Sequence, residues 1–315
     1  MVKLLLSFCL LSFMLSIYLP PSTHAADMDL DLHAKISDTI EEWARATDSF
    51  FGGETADYET TGTYLRTGVQ WEARDHSTPM LSYDLNLHLR LPIAERRFNV
   101  FLQSEDAEED EQLSDTLGAA SDLAERSRES TFAGLGYIFT ESDRWKSSII
   151  GGIRLINPPD PFLRFKLRRR RVEVGNWRFR ADQSVTWRNK SGFSEATNLW
   201  FDRPMENSLL FRSNSFATWD EDDPEVYTGQ TFTLMWRATE DLGLSAMAGA
   251  LGETEPRWRE TQYLLLFPVR YYLIDDWLIF GFKPGVRWPR EYDFKPVREV
   301  QFRIEAYFDA ERVNR

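Results

Sequence analysis

Asp75, His76 and Ser77 are consecutive, and their side chains are those of an orienting acid, a base and a nucleophile in acyl transfer. Three neighbours in one turn cannot all face each other, so a catalytic reading needs partners from other loops. A hydrophilic turn closed by Pro79 needs nothing more. His88 and Asp84 share a face two steps apart, which a structural pair also explains. Metal chemistry finds little support. His33, His76 and His88 stand far apart, and the single cysteine, Cys9, lies near the N-terminus. The acidic run EDAEEDE (105–111) invites Ca²⁺, but an EF-hand starting at Asp106 puts Glu111 where glycine belongs and Leu117 where glutamate belongs. A solvated acidic loop accounts for it. Gly134-x-Gly136 lacks a third glycine, and no G-x-S-x-G elbow occurs. The expectation is no metal and no cofactor.

The elements that would position these residues are unusual. The chain has 315 residues, 14% of them aromatic, including 11 Trp. A disordered chain would lack those rings. The net charge of −13 argues against a nucleic-acid partner. The mean hydropathy of −0.44 excludes a bundle of membrane helices. Residues 1–25 read as a cleaved secretory leader: Lys3, an apolar run over 4–19, then small residues Thr23 and Ala25. No cysteine follows, which fits a bacterial envelope protein without disulfides.

Residues 30–49 carry Leu32, Ile36, Ile40 and Trp43 at helical spacing, stopped by Gly52-Gly53. Residues 26–59 are therefore expected to form a periplasmic helix and linker. Beyond residue 60 period two takes over. In 81–91, the apolar Leu81, Tyr83, Leu85, Leu87, Leu89 and Leu91 oppose Ser82, Asp84, Asn86, His88 and Arg90. Fourteen such stretches fit: 63–73, 80–91, 95–104, 130–140, 145–155, 161–171, 176–188, 192–202, 206–218, 226–238, 242–252, 259–272, 277–288 and 295–308. Merging or dropping the two that alternate poorly, 192–202 and 242–252, gives twelve. These stretches are longer than the roughly 5–6 residues of soluble strands and match the roughly 9–11 that cross a bilayer.

Alternation alone does not separate a soluble sandwich from a membrane barrel. Tryptophan placement does. Trp177 and Trp187 share a face ten residues apart, a climb of roughly 25 Å at ~40° tilt, the height of an apolar band between aromatic girdles. Trp145, Trp177 and Trp277 each follow a tight polar turn. Connections also alternate in length, with short turns at one end and the long segment 105–129 at the other. Near the C-terminus, VQFRIEAYF alternates and ends on an aromatic, although DAERVNR follows Phe308. On these features the chain resembles Gram-negative outer-membrane β-barrel proteins over residues 60–308. The resemblance implies an all-β antiparallel transmembrane barrel, contact with outer-membrane lipid and lipopolysaccharide, and delivery by the outer-membrane assembly machinery. It implies no substrate. Some outer-membrane lipid-modifying enzymes carry His, Asp and Ser at the cell surface, which keeps Asp75, His76 and Ser77 in view.

Inward parity collects cations: Arg154, Arg164, Lys166, Arg168, Arg170, Arg178, Arg180 and Arg188 form one basic wall, with Arg66, Arg90, Arg97, Arg212, Arg237, Arg270, Lys283, Arg287 and Arg303 elsewhere. Inward acids are fewer: Glu72, Asp84, Asp182, Glu299 and Glu305. Like charges on adjacent strands repel and call for compensation by water, anions or an acidic plug such as loop 105–129. Two functions follow: a small-solute channel with an anion-favouring lumen, or a closed barrel serving as a surface lipid-modifying enzyme or structural platform.

Overall fold

A computed structural model describes residues 64–90, 98–103, 131–142, 144–223, 225–254, 257–274 and 277–309. The expected leader, the helix over 30–49 and loop 105–129 lie outside the described residues, as does the side chain of Arg170.

Alternating sequence makes long strands because each places its large apolar residues on one face and its polar residues on the other. They are β1 (Tyr64–Arg74), β2 (Met80–Arg90), β3 (Phe98–Gln103), β4 (Phe132–Glu141), β5 (Trp145–Arg154), β6 (Asp160–Val174), β7 (Trp177–Arg188) and β8 (Gly192–Met205). There follow β9 (Leu209–Asp220), β10 (Val226–Arg237), β11 (Leu242–Glu253), β12 (Arg259–Leu266), β13 (Val269–Ile274), β14 (Leu278–Pro289) and β15 (Val297–Asp309). Consecutive strands pair antiparallel, except β12 and β13, which each pair with β11 and β14. The sheet closes because β15 also pairs with β1, from Tyr64 opposite Asp309 to Arg74 opposite Glu299.

β12 and β13 are two halves of one stave. Against β11, Met247 faces Leu266 and Leu244 faces Val269, so the register passes through the break without a slip. Against β14, Leu266 faces Gly285 and Val269 faces Phe282, again in step. Pro268 has no N–H to donate, which interrupts the ladder. The neighbouring bonds survive: Phe267 N donates to Pro284 O at 2.9 Å and Ser245 N to Pro268 O at 2.8 Å. The barrel thus has fourteen staves, and all fourteen expected strands are present.

The two faces are chemically opposite. On β6, Leu163 and Phe165 are 47% and 44% exposed on the outside, while Arg164 and Lys166 between them are 5% and 8% exposed on the inside. On β15 the exposed Phe302, Ile304 and Phe308 alternate with the buried Gln301, Glu305 and Tyr307. An aqueous exterior would penalise such a continuous apolar skin; a bilayer's hydrocarbon matches it. The weak alternation of β8 and β11 has local causes. β8 carries Glu195 and Thr197 on the outer parity and Trp200 on the inner. β11 turns Met247 and Leu251 inward and small alanines outward.

Candidate functional site: the inner wall

The inner wall is not chemically uniform. Two apolar clusters face the interior. One joins Phe101, Phe132, Ile150 and Phe162 on β3–β6. The other joins Phe216, Met247, Leu251, Leu264 and Leu266 on β9–β12. The rings of the first occupy space that two glycines leave open. A Cβ on Gly134 would stand 2.7 Å from the Phe101 ring, and one on Gly152 2.8 Å from that of Phe162. Phe132 meets Phe162 edge-on at 5.7 Å. Period-two reading left these residues out, because it looked for polar groups on the inward parity. Glycines at inward positions opposite phenylalanines were the available signal.

The charged part divides into two regions. Around the closure of β14, β15, β1 and β2, bases and acids alternate. Arg287 Nε donates to Glu299 Oε2 at 2.5 Å, Arg74 lies 3.6 Å from the same oxygen, and Arg74 Nη2 donates to Glu72 at 2.6 Å. Deeper on the same wall, Arg303 bridges Asp84 at 3.3 Å and Glu305 at 2.5 Å, and Arg270 approaches Glu305 at 3.7 Å. Asp84 thus engages Arg303, on the neighbouring strand beyond β1, rather than His88.

Across β5–β7 the bases dominate. Described inward side chains there include Lys146, Arg154, Arg164, Lys166, Arg168, Arg178, Arg180 and Arg188, against the acids Asp160, Glu173 and Asp182. The anticipated repulsion between β6 and β7 is relieved by register. Arg164 lies opposite Thr186, Lys166 opposite Ser184 and Arg168 opposite Asp182. Arg164 Nε donates to Thr186 at 2.9 Å, and Arg168 Nε to Asp182 at 2.9 Å. Arg178 sits 3.6 Å from Glu173, Arg180 lies 4.1 Å over the Trp200 ring, and Arg188 donates to Ser194 at 2.8 Å. Further round, Arg212 holds Asp202 by two parallel bonds of 2.7 and 2.9 Å. Like charges do meet at Lys146 and Arg168, in register between β5 and β6. Asp160, Glu173 and Asp202 are inward acids that sequence parity missed. Asp160 and Glu173 lie at strand ends, where the face is ambiguous.

The basic-wall residues named from sequence therefore stand together, with Arg170 left aside. After Arg169 the β6–β7 register shifts by one residue. Such a bulge reassigns faces, and strict alternation does not foresee it.

Asp75, His76 and Ser77 form the turn between β1 and β2. Asp75 clamps the seam: its N–H donates to Arg298 O at 2.9 Å, and its Oδ2 accepts from Arg298 N at 3.0 Å. His76, at φ +67°, lies 5.6 Å from the Tyr292 ring. Among the described residues no hydrogen bond joins the three side chains. Trp145, Trp177 and Trp277 stand at the turn-bearing ends of their strands and Trp187 at the other end. Arg169 lies 4.8 Å over Trp145, Arg203 lies 5.5 Å over Trp177, and Trp277 packs on Phe308 at 5.9 Å.

A closed antiparallel barrel with an apolar skin, a charged interior and tryptophans near both rims is a β-barrel of the outer-membrane class. No protein-family model matches the chain, and no curated protein matches it. Solved structures similar in fold include a loop-deleted OmpT, an outer membrane protein of Vibrio cholerae (TM-score 0.48, 10% identity, 78% of this chain and 98% of that one). The outer membrane channel DcaP of Acinetobacter baumannii is similar at TM-score 0.44 and 8% identity, covering 78% and 96%. The outer membrane protein OpdK of Pseudomonas aeruginosa is similar at TM-score 0.44 and 7% identity, covering 78% and 98%.

Proposed function

We propose that the chain is an outer-membrane channel for small solutes whose lumen favours anions. The observation that supports this is the excess of bases over acids on the β5–β7 wall. A cationic surface facing a low-dielectric enclosure concentrates anions along it. Small polar groups between the cations, such as Ser148 and Ser184, let a solute pass from one to the next rather than lodge. Planar-bilayer recording tests the reading. Stepwise conductance with a reversal potential favouring anions is expected, and Lys166→Glu reduces that preference. Absence of steps from protein that is folded by heat-modifiable migration overturns it.

One observation favours a second reading, a closed barrel acting as a platform. Several inward charges, including Arg164, Arg212 and Arg287, are almost wholly shielded from water, and the two apolar clusters also face inward. The same recording distinguishes the two.

A further inference from the structure

The outer face is largely apolar, as on β2, where Leu81, Tyr83 and Leu85 point outward. Two arginines stand on it near the rim of short turns. Arg169 of β6 lies outward, opposite Trp145 on β5 and Ala181 on β7. Arg203 of β8 lies outward opposite Phe211 on β9, and is exposed. Each guanidinium rests on a tryptophan of that rim, Arg169 4.8 Å over Trp145 and Arg203 5.5 Å over Trp177.

Nothing in the wall around them supplies a counter-charge. The outward positions between the two, on β7 and β8, are Phe179, Ala181, Leu199 and Phe201, all uncharged. Among the described residues no carboxylate pairs with either arginine, and neither guanidinium donates a hydrogen bond. Arg144, in the turn between β4 and β5, adds a third cation close enough to repel Arg169. Other rim positions differ. Trp277, before β14, packs on Phe308 with a ring and no cation. Arg290, at the opposite rim, also lies over a ring, that of Phe294 at 5.5 Å, but it donates to the carbonyl and the carboxylate of Glu260.

Stacking on a ring uses only the face of a guanidinium. Its N–H groups lie in the plane of the fork and stay available for two parallel bonds to a phosphate. Lipid headgroups stand at the depth of a tryptophan girdle, and short barrel turns face the periplasm, so this rim meets the phospholipid leaflet. Arg169 and Arg203 are two strands apart, about 10 Å at ~4.8 Å per strand, so a headgroup set between them is reached from both sides. Phe179 and Phe201, with rings 5.1 Å apart, give the space between the cations an apolar floor that acyl chain can cover.

We infer that the β5–β8 sector of this rim binds the phosphate of an anionic phospholipid from the periplasmic leaflet, held between Arg169 and Arg203. The site is on the outside of the barrel, so it holds whether or not the lumen conducts.

Native mass spectrometry of the protein folded in mild detergent, equilibrated with phosphatidylglycerol or with phosphatidylcholine, tests it. Preferential retention of phosphatidylglycerol is expected, and equal retention of the two lipids overturns the inference. Arg169→Gln combined with Arg203→Gln is expected to lower phosphatidylglycerol retention about tenfold through loss of two charge-assisted contacts. Arg290→Gln, which removes a stacked arginine at the other rim, is expected to leave retention unchanged. Heat-modifiable migration shows that each variant is folded. A folded double variant that retains as much lipid as the unsubstituted protein, or an Arg290→Gln variant that loses as much as the double variant, overturns the inference. Excess lipopolysaccharide and excess inorganic phosphate are each expected to leave phosphatidylglycerol bound. Displacement by lipopolysaccharide would assign this rim to the other leaflet, and displacement by phosphate would make a free ion the ligand; either result overturns the inference.

Discussion

Arg212 and Asp202 face each other from β9 and β8, both buried and joined by two parallel hydrogen bonds. Removing one partner of such a pair leaves the other charge without its counter-ion in the interior. Asp202→Asn should therefore cost about 3 kcal/mol, read as a lower urea midpoint for loss of heat-modifiability. Arg290 and Glu260 make the contrast. They are 3.5 Å apart and both about two-fifths exposed. Glu260→Gln should change stability by no more than about 0.5 kcal/mol in the same assay. The rim connection between β9 and β10 supplies a titrating residue. Burial, then the nearby Glu253 and Asp223 carboxylates, hold the Glu225 carboxyl above the usual carboxylate range. An acid whose folded pKa is raised binds its proton more tightly in the folded state, so its contribution to stability falls as pH rises through that pKa. Protection factors of the Glu225 and Val226 amides, with the intrinsic pH dependence of exchange divided out, should rise on acidification from about pH 7 to 4, and Glu225→Gln should flatten that rise. A dependence unchanged by the substitution would assign it to other carboxylates.

Among the elements, the faces of β2 are decided by parity. Leu85→Arg places a cation on the hydrocarbon side and should cost roughly 2–4 kcal/mol. Asn86→Asp, one residue on, turns inward opposite Arg66 and should cost much less. Equal damage in detergent unfolding would mean that both faces of β2 are packed against protein. The sequence marked all fourteen staves because lipid on one side and a largely polar interior on the other impose a period of two, interrupted only locally, at the bulge after Arg169 and along β8 and β11. The same period placed Arg164, Lys166, Arg168, Arg178, Arg180 and Arg188 on one wall. It was blind to what depends on pairing between strands. The offset that sets Arg168 against Asp182 is fixed by turn geometry and bulges, and no single strand displays it. It was also blind to Phe101 and Phe162, whose rings fit only because Gly134 and Gly152 lie on facing strands. Asp75 looked catalytic because it neighbours His76 and Ser77. Its partner is Arg298, 223 residues away, which local spacing does not reveal.

At the scale of the whole molecule, the asymmetry of charge is the feature that bears on transport. The wall around β14, β15, β1 and β2 is a ladder of paired bases and acids, whereas the β5–β7 wall is basic. Charge reversal on the two walls should therefore differ in effect. Lys166→Glu should shift the reversal potential toward cations, while Arg303→Glu should mainly destabilise the barrel by disrupting Asp84 and Glu305. Equal shifts from both would show that ions do not track one side. The seam itself has a kinetic meaning. β1 and β15 share eleven register pairs, yet they are the first and last staves in the chain. Every other described ladder between adjacent staves joins neighbours in sequence, but this one closes a loop of more than two hundred residues. Barrel closure should accordingly be the slow step of folding. Because Tyr64 and Asp309 end side by side, a circular permutant can join them through a short linker and open the chain at the 189–191 turn, moving that slow step from the β1–β15 seam to β7–β8 without altering a single stave.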